Sequence, residues 1–582
     1  MLSLRVGPLV RAVSESSVVI WAELTEYCLV TCSALSLTDA STDECLFRAP
    51  TTQVGERFYV AIQLTNLHPS TWYSYTLSCA ASESEPALLF TPECQQCFRT
   101  LDHSLLPDQR HPLRIAYGSC RKANLPASDT FNALGEWLID HYEQRDTIWP
   151  HLLLLIGDQI YADQVPDQIL LEYPHLQQGA STFHDFALLY TYAWSYHSGA
   201  RQALACLPTY MMFDDHEITN NWNTEPNWRD HALHNGLEQT LVDGEVAYWV
   251  YQGWGNLDQQ TTRQSPLFTI MQEAALRQED ALPALRDCIK ADVYRKQLLR
   301  WHYEIPTQPP LFVANARTER TALFPETDGE QTRTIYDPTR IMSPEQQDEI
   351  AHWLAAHDDG PAILVSSVPV LMPPAIGMAE YLMGKRLWLQ APQPFQWLGK
   401  QLALFQQKVS SRMSFDHWPL YSESWAEMVS LLTRHHGDIL LLSGDVHFSY
   451  AIEAQQALKR RQNRRILQFV STPMQNQLDA DSQQKIRLQS RLSQTIYGGL
   501  WTHTLPLQSV REEAQIYANL LFQNTLALLT IQPDTHKGYT FSHEYLGIVE
   551  EKLEIIARTQ LPAQQASPST MRSEDRSDHR EL

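Results

Sequence analysis

Four uninterrupted apolar runs occur between residues 114 and 442, and each is followed at once by polar residues. The runs read RIAY, HLLLLI, PTYMMF and DILLL. Runs of this length, bounded by turn residues, predict buried strands of one central sheet. Apolar residues spaced three and four apart predict helices that begin near Ser128, Ser343 and Glu423. The pattern therefore predicts an α/β region with strands inside and helices outside.

The first hundred residues show a different pattern, in which short apolar stretches are separated by polar turns. The clearest stretches are SVVIWAEL, YCLVTCSAL, RFYVAIQL and WYSYTLSCA, and this spacing predicts an all-β sandwich over residues 1–101. The segment LHPSTWYSY, from Leu67 to Tyr75, resembles the tyrosine corner of fibronectin type III and immunoglobulin-like sandwiches. Residues 102–112 are polar and contain proline, which predicts a linker.

Strands and helices then alternate over residues 112–555, which predicts a second and larger domain. Near its end, RILQFVS, NTLALLTI and GYTFSHEYL predict strands of a second sheet or layer. Residues 223–300 and 372–412 break this alternation, and we expect helical or loop insertions there that shape the functional site. Residues 560–582 are polar and lack apolar periodicity, so they are predicted to be a disordered tail.

Composition narrows the choice of partners. The chain has 582 residues, 43% of them hydrophobic, and its net charge of −23 argues against a general basic surface for nucleic acid or membranes. It lacks an apolar run of about 18 residues and the layout of a signal peptide. Nine thinly spread cysteines favour reduced thiols. We expect a cytoplasmic protein without membrane or general nucleic-acid partners.

The polar residues after the four runs carry side chains that can bind metals. They lie in the segments Gly118–Cys120, Gly157–Asp163, Asp214–Trp222 and Ser443–His447. Because the carboxyl ends of such strands converge on a ligand-binding crevice, we expect the four segments to meet. Carboxylates, a thiol, a phenol and imidazoles in one place predict a two-metal phosphoesterase site.

Two ions about 3.5–4 Å apart can activate water and neutralise phosphoryl oxygens, and a carboxylate between them can serve one ion with each oxygen. Asp158, in a tight turn after a buried strand, is the candidate bridge. The phenol of Tyr161 and the thiol of Cys120, completed by His447, suit a strongly Lewis-acidic ion such as Fe³⁺.

Oxygen ligands for a second ion come from Asp215, Asn221 and Asp445. Hard oxygen ligands favour Ca²⁺, Mg²⁺ or Mn²⁺. Asn220 is adjacent to Asn221 and equally able to bind, so the choice between the two amides stays open.

These residues match a known family. The chain resembles the PhoD-like alkaline phosphatases and phosphodiesterases of the calcineurin-like metallophosphoesterase superfamily. The resemblance is carried by GSC, GDQIYAD, PTYMMFDDHEITNNW and SGDVHFS in the family's order, and also by FVANARTER. It implies a two-layered β-sheet metallophosphoesterase core flanked by helices and preceded by a small fibronectin type III-like sandwich.

The resemblance also implies roles for the metal ligands. By it, Cys120, Asp158, Tyr161 and His447 correspond to iron ligands, and Asp158, Asp215 and Asp445 to ligands of a second ion such as Ca²⁺. Two departures are visible: the family's Asp-x-Arg reads Asn315-Ala316-Arg317 here, and the twin-arginine export signal of secreted relatives is absent.

Other polar residues have more modest predicted roles. Arg121, next to Cys120, is a candidate phosphate contact, whereas Arg317 is expected to pair with a carboxylate inside the fold. Asp163 is expected to be a loop carboxylate, and Asp214 and Glu217 helix caps or surface charges. Asp163 and Asp214 have an alternative place, behind the ligands that they would orient. His417 and His543 are by default packing or surface residues, although His543 could also lie near the site.

The sequence thus predicts a metal-dependent phosphoric-ester hydrolase acting on a small substrate, with His216 protonating the leaving group after attack by a bridging hydroxide. The alternative is a non-catalytic metal-binding or scaffold protein that retains the fold. The sequence distinguishes neither monoesters from diesters nor one oligomeric state from another.

Overall fold

The structure is a computed structural model. It describes residues 3–37, 44–79, 87–89, 96–102, 111–124, 126–224, 228–257, 264–295, 299–320, 339–358, 360–385, 395–412, 415–457, 464–534 and 538–561. Most of the predicted linker and nearly all of the predicted tail, from residue 562 on, lie outside these ranges. Every helix within them is too short or too polar to span a bilayer.

The strands of the described residues are β1 (Leu4–Val13), β2 (Val18–Leu24), β3 (Leu29–Ser36), β4 (Cys45–Pro50), β5 (Thr52–Val54), β6 (Arg57–Leu64), β7 (Trp72–Cys79), β8 (Ala87–Leu88), β9 (Cys97–Arg99), β10 (Leu113–Gly118), β11 (Leu152–Ile156), β12 (Thr209–Met212), β13 (Tyr303–Ile305), β14 (Leu311–Val313), β15 (Ala362–Val365), β16 (Ile439–Ser443), β17 (Tyr450–Gln456), β18 (Ile466–Val470), β19 (Gln494–Tyr497), β20 (Leu500–Thr504), β21 (Leu507–Ser509), β22 (Ile516–Tyr517), β23 (Leu520–Leu521), β24 (Leu526–Asp534), β25 (Gly538–Val549) and β26 (Lys552–Thr559).

The helices are α1 (Thr130–Asp140), α2 (Arg145–Ile148), α3 (Asp167–Glu172), α4 (Phe183–Ser195), α5 (Ser198–Cys206), α6 (Trp228–His234), α7 (Glu238–Tyr248), α8 (Pro266–Arg277), α9 (Leu282–Arg295), α10 (Pro344–Ala356), α11 (Pro374–Gly384), α12 (Gln396–Arg412), α13 (Ser422–Arg434) and α14 (Ala480–Gln489). A π-helical turn, Trp249–Gly253, follows α7 directly.

The first hundred residues form two antiparallel sheets, as the sequence predicts. One has the strand order β1-β2-β6-β5, and the other has β4-β3-β7-β8 with β9 beside β7. The hydroxyl of Tyr73 accepts a hydrogen bond from the backbone N–H of His68 at 2.8 Å. This bond is the side-chain-to-backbone contact of a tyrosine corner, and the Tyr73 ring stacks on Phe98 with centroids 5.4 Å apart.

A buried guanidinium ties this sandwich to the helices behind the site. Arg11 of β1 is fully buried and donates to the Asn256 side-chain oxygen at 2.8 Å. Trp21 of β2 donates from its indole nitrogen to the Val250 carbonyl at 3.0 Å. A buried charge is costly unless it is hydrogen-bonded, so Arg11 needs its partner Asn256. Together with the Trp21 bond, this contact fixes the sandwich against the π-helical turn and the residues that follow it.

Two further sheets pack face to face to form the larger core. The seven-stranded sheet has the order β12-β11-β10-β24-β25-β26-β21, and the eight-stranded sheet has β13-β14-β15-β16-β18-β17-β20-β19. Strands β10 to β12 are parallel, as are β14, β15, β16 and β18. Ile115, Leu154, Leu442 and Phe469 belong to one shared core. The two-layered α/β prediction is confirmed.

The four apolar runs are strands, but they do not belong to one central sheet. Strands β10, β11 and β12 lie in the seven-stranded sheet, whereas β16 lies in the eight-stranded one. NTLALLTI and GYTFSHEYL, expected in a second layer, are β24 and β25 and pair beside β10. Apolar periodicity reports that a strand is buried and not which distant strand it joins. The functional site therefore lies at an edge shared by two sheets.

Helix starts and insertions follow the sequence closely, with one correction. Asp129, not Ser128, caps α1, because its carboxylate accepts hydrogen bonds from the backbone N–H groups of Phe131 and Asn132. Helix α10 begins after Ser343, as predicted. The two stretches that break the alternation contain α6 to α9 and α11 to α12.

His543 lies in the core between the two large sheets rather than at the site. Its Nε2 lies 2.7 Å from the Tyr117 hydroxyl and its Nδ1 lies 2.9 Å from the Thr559 hydroxyl. The ring stacks on Phe469 of the other sheet, with centroids 4.3 Å apart. Burial lowers the pKa of His543 to about 3, so the folded protein holds this imidazole neutral.

We expect His543 to make the fold sensitive to acid. The unfolded chain takes up this proton near pH 6.5 and the folded chain only near pH 3. The contribution of the neutral ring is therefore complete above pH 6.5 and is lost as the pH falls, by about 1.4 kcal/mol per pH unit. Urea unfolding at about pH 7.5 and about pH 5 measures this slope.

His543→Gln should lower the free energy of unfolding at neutral pH but reduce its loss towards pH 5. His352→Gln, on the exposed side of α10, is the matched control and should keep the parent slope. An unchanged slope in the His543 variant would contradict this assignment.

Candidate metal centre

The carboxyl ends of β10, β11, β12 and β16 meet where the two sheets share an edge. The backbone N–H of Cys120 donates to the Gly157 carbonyl at 3.2 Å, and that of Gly444 donates to the Ser367 carbonyl at 3.0 Å. A Cβ at Gly444 would lie 2.1 Å from Oγ of Ser119, so a glycine is needed for the loop after β16 to approach the turn after β10. All four predicted segments are brought together.

Cys120, Asp158 and His447 each offer a ligand atom, and these atoms lie within 4.8 Å of one another. The Cys120 thiol lies 3.4 Å from Oδ2 of Asp158, and the Tyr161 hydroxyl donates to the same oxygen at 3.5 Å. Nδ1 of His447 lies 2.8 Å from the Asn476 carbonyl. Donation from Nδ1 leaves Nε2 as the unprotonated ligand atom.

Asp158 also belongs to a second group, with Asp215 and His216, at the same spacing. Its Oδ2 faces Cys120 and Tyr161, whereas its Oδ1 accepts the backbone N–H of His216 at 3.2 Å. Asp215 forms a further group with Asp214 and Asp445. One carboxylate thus turns an oxygen towards each side of the site.

Five of the seven predicted ligands have left-handed backbone conformations. Cys120, Asp158, Asn221, Asp445 and His447 have φ values between 55° and 68°. This region costs a residue with a Cβ roughly 1–2 kcal/mol and is occupied where surrounding contacts impose it, commonly at ligand sites. The sharp turns aim these side chains into the crevice at the strand ends.

Glu217, expected to be a cap or a surface charge, is instead a fully buried brace between two of the segments. Its Oε2 accepts the backbone N–H groups of Asp158 at 3.0 Å and Asp214 at 2.7 Å. Its Oε1 accepts the backbone N–H of Gln159 at 2.7 Å and an amide hydrogen of Gln252 at 3.2 Å. The carboxylate therefore fixes the loop after β11 against the loop after β12.

His216 is held between an acidic partner and an aromatic ring. Its Nδ1 lies 2.7 Å from Oδ1 of Asp163, and its ring stacks on Tyr161 with centroids 4.3 Å apart. Burial alone would lower the pKa of His216, but the carboxylates of Asp215, Asp163 and Asp158 raise it to about 10. The surrounding carboxylates therefore favour the protonated imidazole.

Arg317 pairs with carboxylates inside the fold, as the sequence predicts. Its guanidinium is fully buried, donates to Asp214 from Nε at 2.7 Å, and lies 3.2 Å from Asp416. Asn315, where the family has aspartate, accepts the backbone N–H of Arg317 at 3.1 Å. The side-chain oxygen of Asn315 therefore supplies a hydrogen bond that shapes this turn.

Sequence reasoning missed His417, which contacts a predicted ligand directly. Its Nε2 lies 3.2 Å from Oδ2 of Asp445, and its Nδ1 lies 2.6 Å from Oε1 of Glu380 on α11. Burial acts to lower the pKa of His417, but Glu380 and Asp445 raise it well above its ordinary value. The protonated ring supports Asp445. The available signal was weak: Glu380 is the single acidic residue of 372–412.

Arg121 does not join the site, which corrects its expected role as a phosphate contact. Its side chain is fully buried and lies 2.7 Å from Asp129, and Nη1 donates to the Ala193 carbonyl. The guanidinium is thus committed to the cap of α1. The adjacent Lys122 is partly exposed, and its Nζ lies 6.0 Å from the centroid of the Tyr161 ring.

The two asparagines reach the site through their backbone. The N–H of Asn221 donates to Oδ2 of Asp215 at 2.6 Å, and that of Asn220 donates to Oδ2 of Asp163 at 2.8 Å. Both side chains are exposed at the mouth of the site. The structure thus places Asn221 beside Asp215, whereas Asn220 lies beside the partner of His216.

The electrostatics of these groups fit bound cations. Burial, followed by the charges of Asp158 and Asp445, raises the pKa of the Cys120 thiol well above its ordinary value. Burial and the same kind of crowding raise the pKa values of Tyr161 and Asp158. Acids that resist ionisation because their neighbours are also acids are the ones that a metal ion deprotonates.

Comparison with known proteins agrees with this geometry. The family model of PhoD-like phosphatases matches residues 116–498, and a model for a domain of unknown function matches residues 1–88. Among curated proteins none matches. A solved structure described as that of PhoD covers 95% of this chain and 88% of its own, at 13% identity and a TM-score of 0.54.

A purple acid phosphatase, PPD1 from yellow lupin (Lupinus luteus) seeds, covers 95% of this chain and 73% of its own, at 9% identity and a TM-score of 0.44. The likeness to PhoD concerns the fold. The family match extends over more than half of the 582 residues and contains every predicted ligand from Cys120 to His447. Together with the gathered ligand atoms, it indicates a metal-dependent phosphoesterase. The chain belongs to the PhoD-like phosphatase family.

Proposed function

We propose that this protein hydrolyses small phosphate esters at a binuclear metal centre built on Asp158. The observation that carries the proposal is the place of Asp158 in two groups of ligand atoms, with one carboxylate oxygen turned towards each. Two ions that share a carboxylate are suited to in-line displacement at phosphorus. The substrate is a phosphomonoester or a phosphodiester.

The candidate ligands form two sets that suit different metal ions. Cys120, Tyr161 and His447, with Asp158, would hold Fe³⁺, since phenolate and thiolate suit a strongly Lewis-acidic ion. Asp215, Asp445 and Asn221, again with Asp158, would hold Ca²⁺, or Mg²⁺ or Mn²⁺ in its place. When bound, the ions would activate water as the nucleophile and neutralise the phosphoryl charge.

His216 acts on the leaving group. Asp163 is not among the proposed ligands, so its charge remains beside Nδ1 of His216 when the ions have neutralised Asp158 and Asp215. The stack on Tyr161 orients the ring. Nε2 is then the nitrogen that gives a proton to the departing oxygen, and such acids contribute about 10²–10⁴-fold.

The alternative is a non-catalytic metal-binding or scaffold protein with the same fold. A scaffold protein would not need His216 to be held in one orientation. The hydrogen bond between His216 and Asp163 is the arrangement expected of an oriented general acid. The hydrolase is therefore the better-supported function.

Hydrolysis of p-nitrophenyl phosphate and bis-p-nitrophenyl phosphate, before and after treatment with a chelator, tests the proposal. We expect activity on at least one substrate, loss of that activity on chelation, and recovery with Fe³⁺ and Ca²⁺. Hydrolysis that survives metal removal would overturn the metal mechanism. Absence of hydrolysis after metal loading would favour the scaffold alternative.

Asp158→Asn is the variant that isolates the bridge, because an amide cannot offer an anionic oxygen to each ion. It should lose bound metal, measured by elemental analysis, together with activity. Asp167→Asn, at an exposed aspartate in the first turn of α3, is the matched control and should retain both.

If the first site holds Fe³⁺, we expect the protein to absorb visible light. Phenolate and thiolate bound to Fe³⁺ should give a charge-transfer band in the visible spectrum of the loaded protein. Tyr161→Phe should shift or bleach the band, and Cys120→Ala should change it independently. A colourless and fully active protein that contains only zinc or magnesium would refute the iron assignment and leave the hydrolase proposal standing.

His216→Ala separates chemistry from metal binding. The variant should retain both metals and lose about 10²–10⁴-fold in kcat on alkyl esters. The loss should be smaller on p-nitrophenyl esters, because p-nitrophenolate leaves without protonation. Asp163→Asn should show the same ordering with a smaller loss, since Asp163 orients the ring and supports its charge but does not touch the leaving group.

An equal defect on both ester classes would assign His216 to substrate positioning. Loss of metal in the His216 variant would make it a ligand or a structural support.

A further inference from the structure

Large apolar side chains are exposed together on the insertion that contains α11 and α12. The exposed fractions are 68% for Trp397, 64% for Phe405, 59% for Phe395, 53% for Leu382 and 43% for Leu398. Single exposed apolar residues are ordinary on a protein surface, but a cluster of aromatic and leucine side chains marks an interaction site.

The orientation of α12 is the reverse of that of an ordinary surface helix. Gly399 and Ala403, which are small and four residues apart, are buried against the protein. Leu398 and Phe405, seven residues apart, share the outward face. A surface helix normally turns its large apolar residues to the core. The large residues of α12 therefore lack cover from the described part of the chain.

The charge of this insertion is opposite to that of the rest of the protein. Residues 372–412 contain five basic residues and the single acidic residue Glu380, a net charge of +4 (five minus one) in a chain of net charge −23. Glu380 is buried and bonded to His417, so its charge is already paired inside the protein. Lys408 is exposed one turn after Phe405.

We propose that α12 and the end of α11 dock this protein on an anionic lipid surface. Trp, Phe and Leu on the exposed face of a helix, in a segment whose sequence is rich in Lys and Arg, are the composition of an interfacial helix that lies in the plane of the membrane. The net charge argues against a general basic surface, and the docking relies instead on this one local patch. The acidic remainder is repelled and keeps the orientation fixed.

The charge of the insertion also favours a lipid surface over a second copy of the chain as the occupant of this patch. A two-fold symmetric contact would place this patch against itself and bring together two segments that each have a net charge of +4. Anionic headgroups give the complementary charge, and each basic residue near such a surface contributes about tenfold or less to binding. The lipid surface is therefore the occupant that the patch fits.

The docking surface is joined to the candidate metal centre. Leu382 lies on α11 two residues after Glu380, and Glu380 bonds to His417, which contacts Asp445. Docking would thus hold the centre close to phosphate esters at the membrane surface. This consequence rests on the proposed function, whereas the docking itself does not.

Sedimentation with vesicles of phosphatidylserine and phosphatidylcholine, compared with phosphatidylcholine alone, tests the proposal on the full chain. We expect binding to the anionic vesicles, and its loss as salt rises. The double variant Trp397→Ser with Phe405→Ser should weaken this binding at least about tenfold. Lys385→Gln with Lys408→Gln should weaken it on anionic vesicles. Circular dichroism verifies that each variant is folded.

The matched control is Leu171→Ser with Leu276→Ser, since these leucines are 85% and 82% exposed outside the insertion. The control should bind vesicles like the parent. Equal binding to both vesicle types, absence of binding, or an unaffected Trp397/Phe405 variant would overturn the proposal. A dimer that the same variant converts to monomer, without vesicle binding, would identify a self-association face instead.

Hydrolysis of p-nitrophenyl phosphate in solution should be unchanged in the Trp397/Phe405 variant, because neither side chain belongs to the metal centre. Docking without hydrolysis would refute the proposed function alone. Hydrolysis without docking would refute this inference alone.

Discussion

Repulsion among buried carboxylates is the constraint that organises the shared edge of the two sheets. Asp158, Asp214, Asp215 and Glu217 are almost wholly buried there, and Asp445 lies among them. An unpaired buried charge costs several kcal/mol. Each carboxylate therefore has hydrogen-bond donors or a positive charge beside it. Whether these partners are fixed protein groups or would be metal ions distinguishes the supporting residues from the candidate ligands.

Fixed protein groups compensate the supporting residues. Glu217 receives three backbone N–H groups, and Asp214 receives the buried guanidinium of Arg317 from the end of β14. Asp445 is supported by His417, which reaches it from beyond α12. Asp158 and Asp215 accept backbone N–H groups, and Asp158 also faces the Cys120 thiol and the Tyr161 hydroxyl. The buried Arg317 pairs with Asp214 and Asp416 instead. Loops of both sheets and the segment after α12 thus contribute cations, and the charge left over is concentrated where two ions would bind.

The sequence revealed the parts of this site that are contiguous in the chain. Cys120, Asp158 and His447 each follow an apolar strand directly, so local pattern and family motifs located them together. Sheet membership was assigned wrongly because non-local pairing leaves no trace in periodicity. His417 was missed since its partners are 37 and 28 residues away. Arg121 was misassigned because its partner, Asp129, also reads as an ordinary helix cap.

The strand order of the seven-stranded sheet has a consequence for biosynthesis. Strand β10 pairs with β11 on one side and with β24 on the other, so that Leu113 meets Ile531. A ribosome releases all four ligand segments before it releases β24. Until then the strand that carries Cys120 has one unpaired edge, the kind of exposed backbone that invites wrong association. The sheet that carries the centre is therefore closed only after β24 has been synthesised, well after the ligand segments.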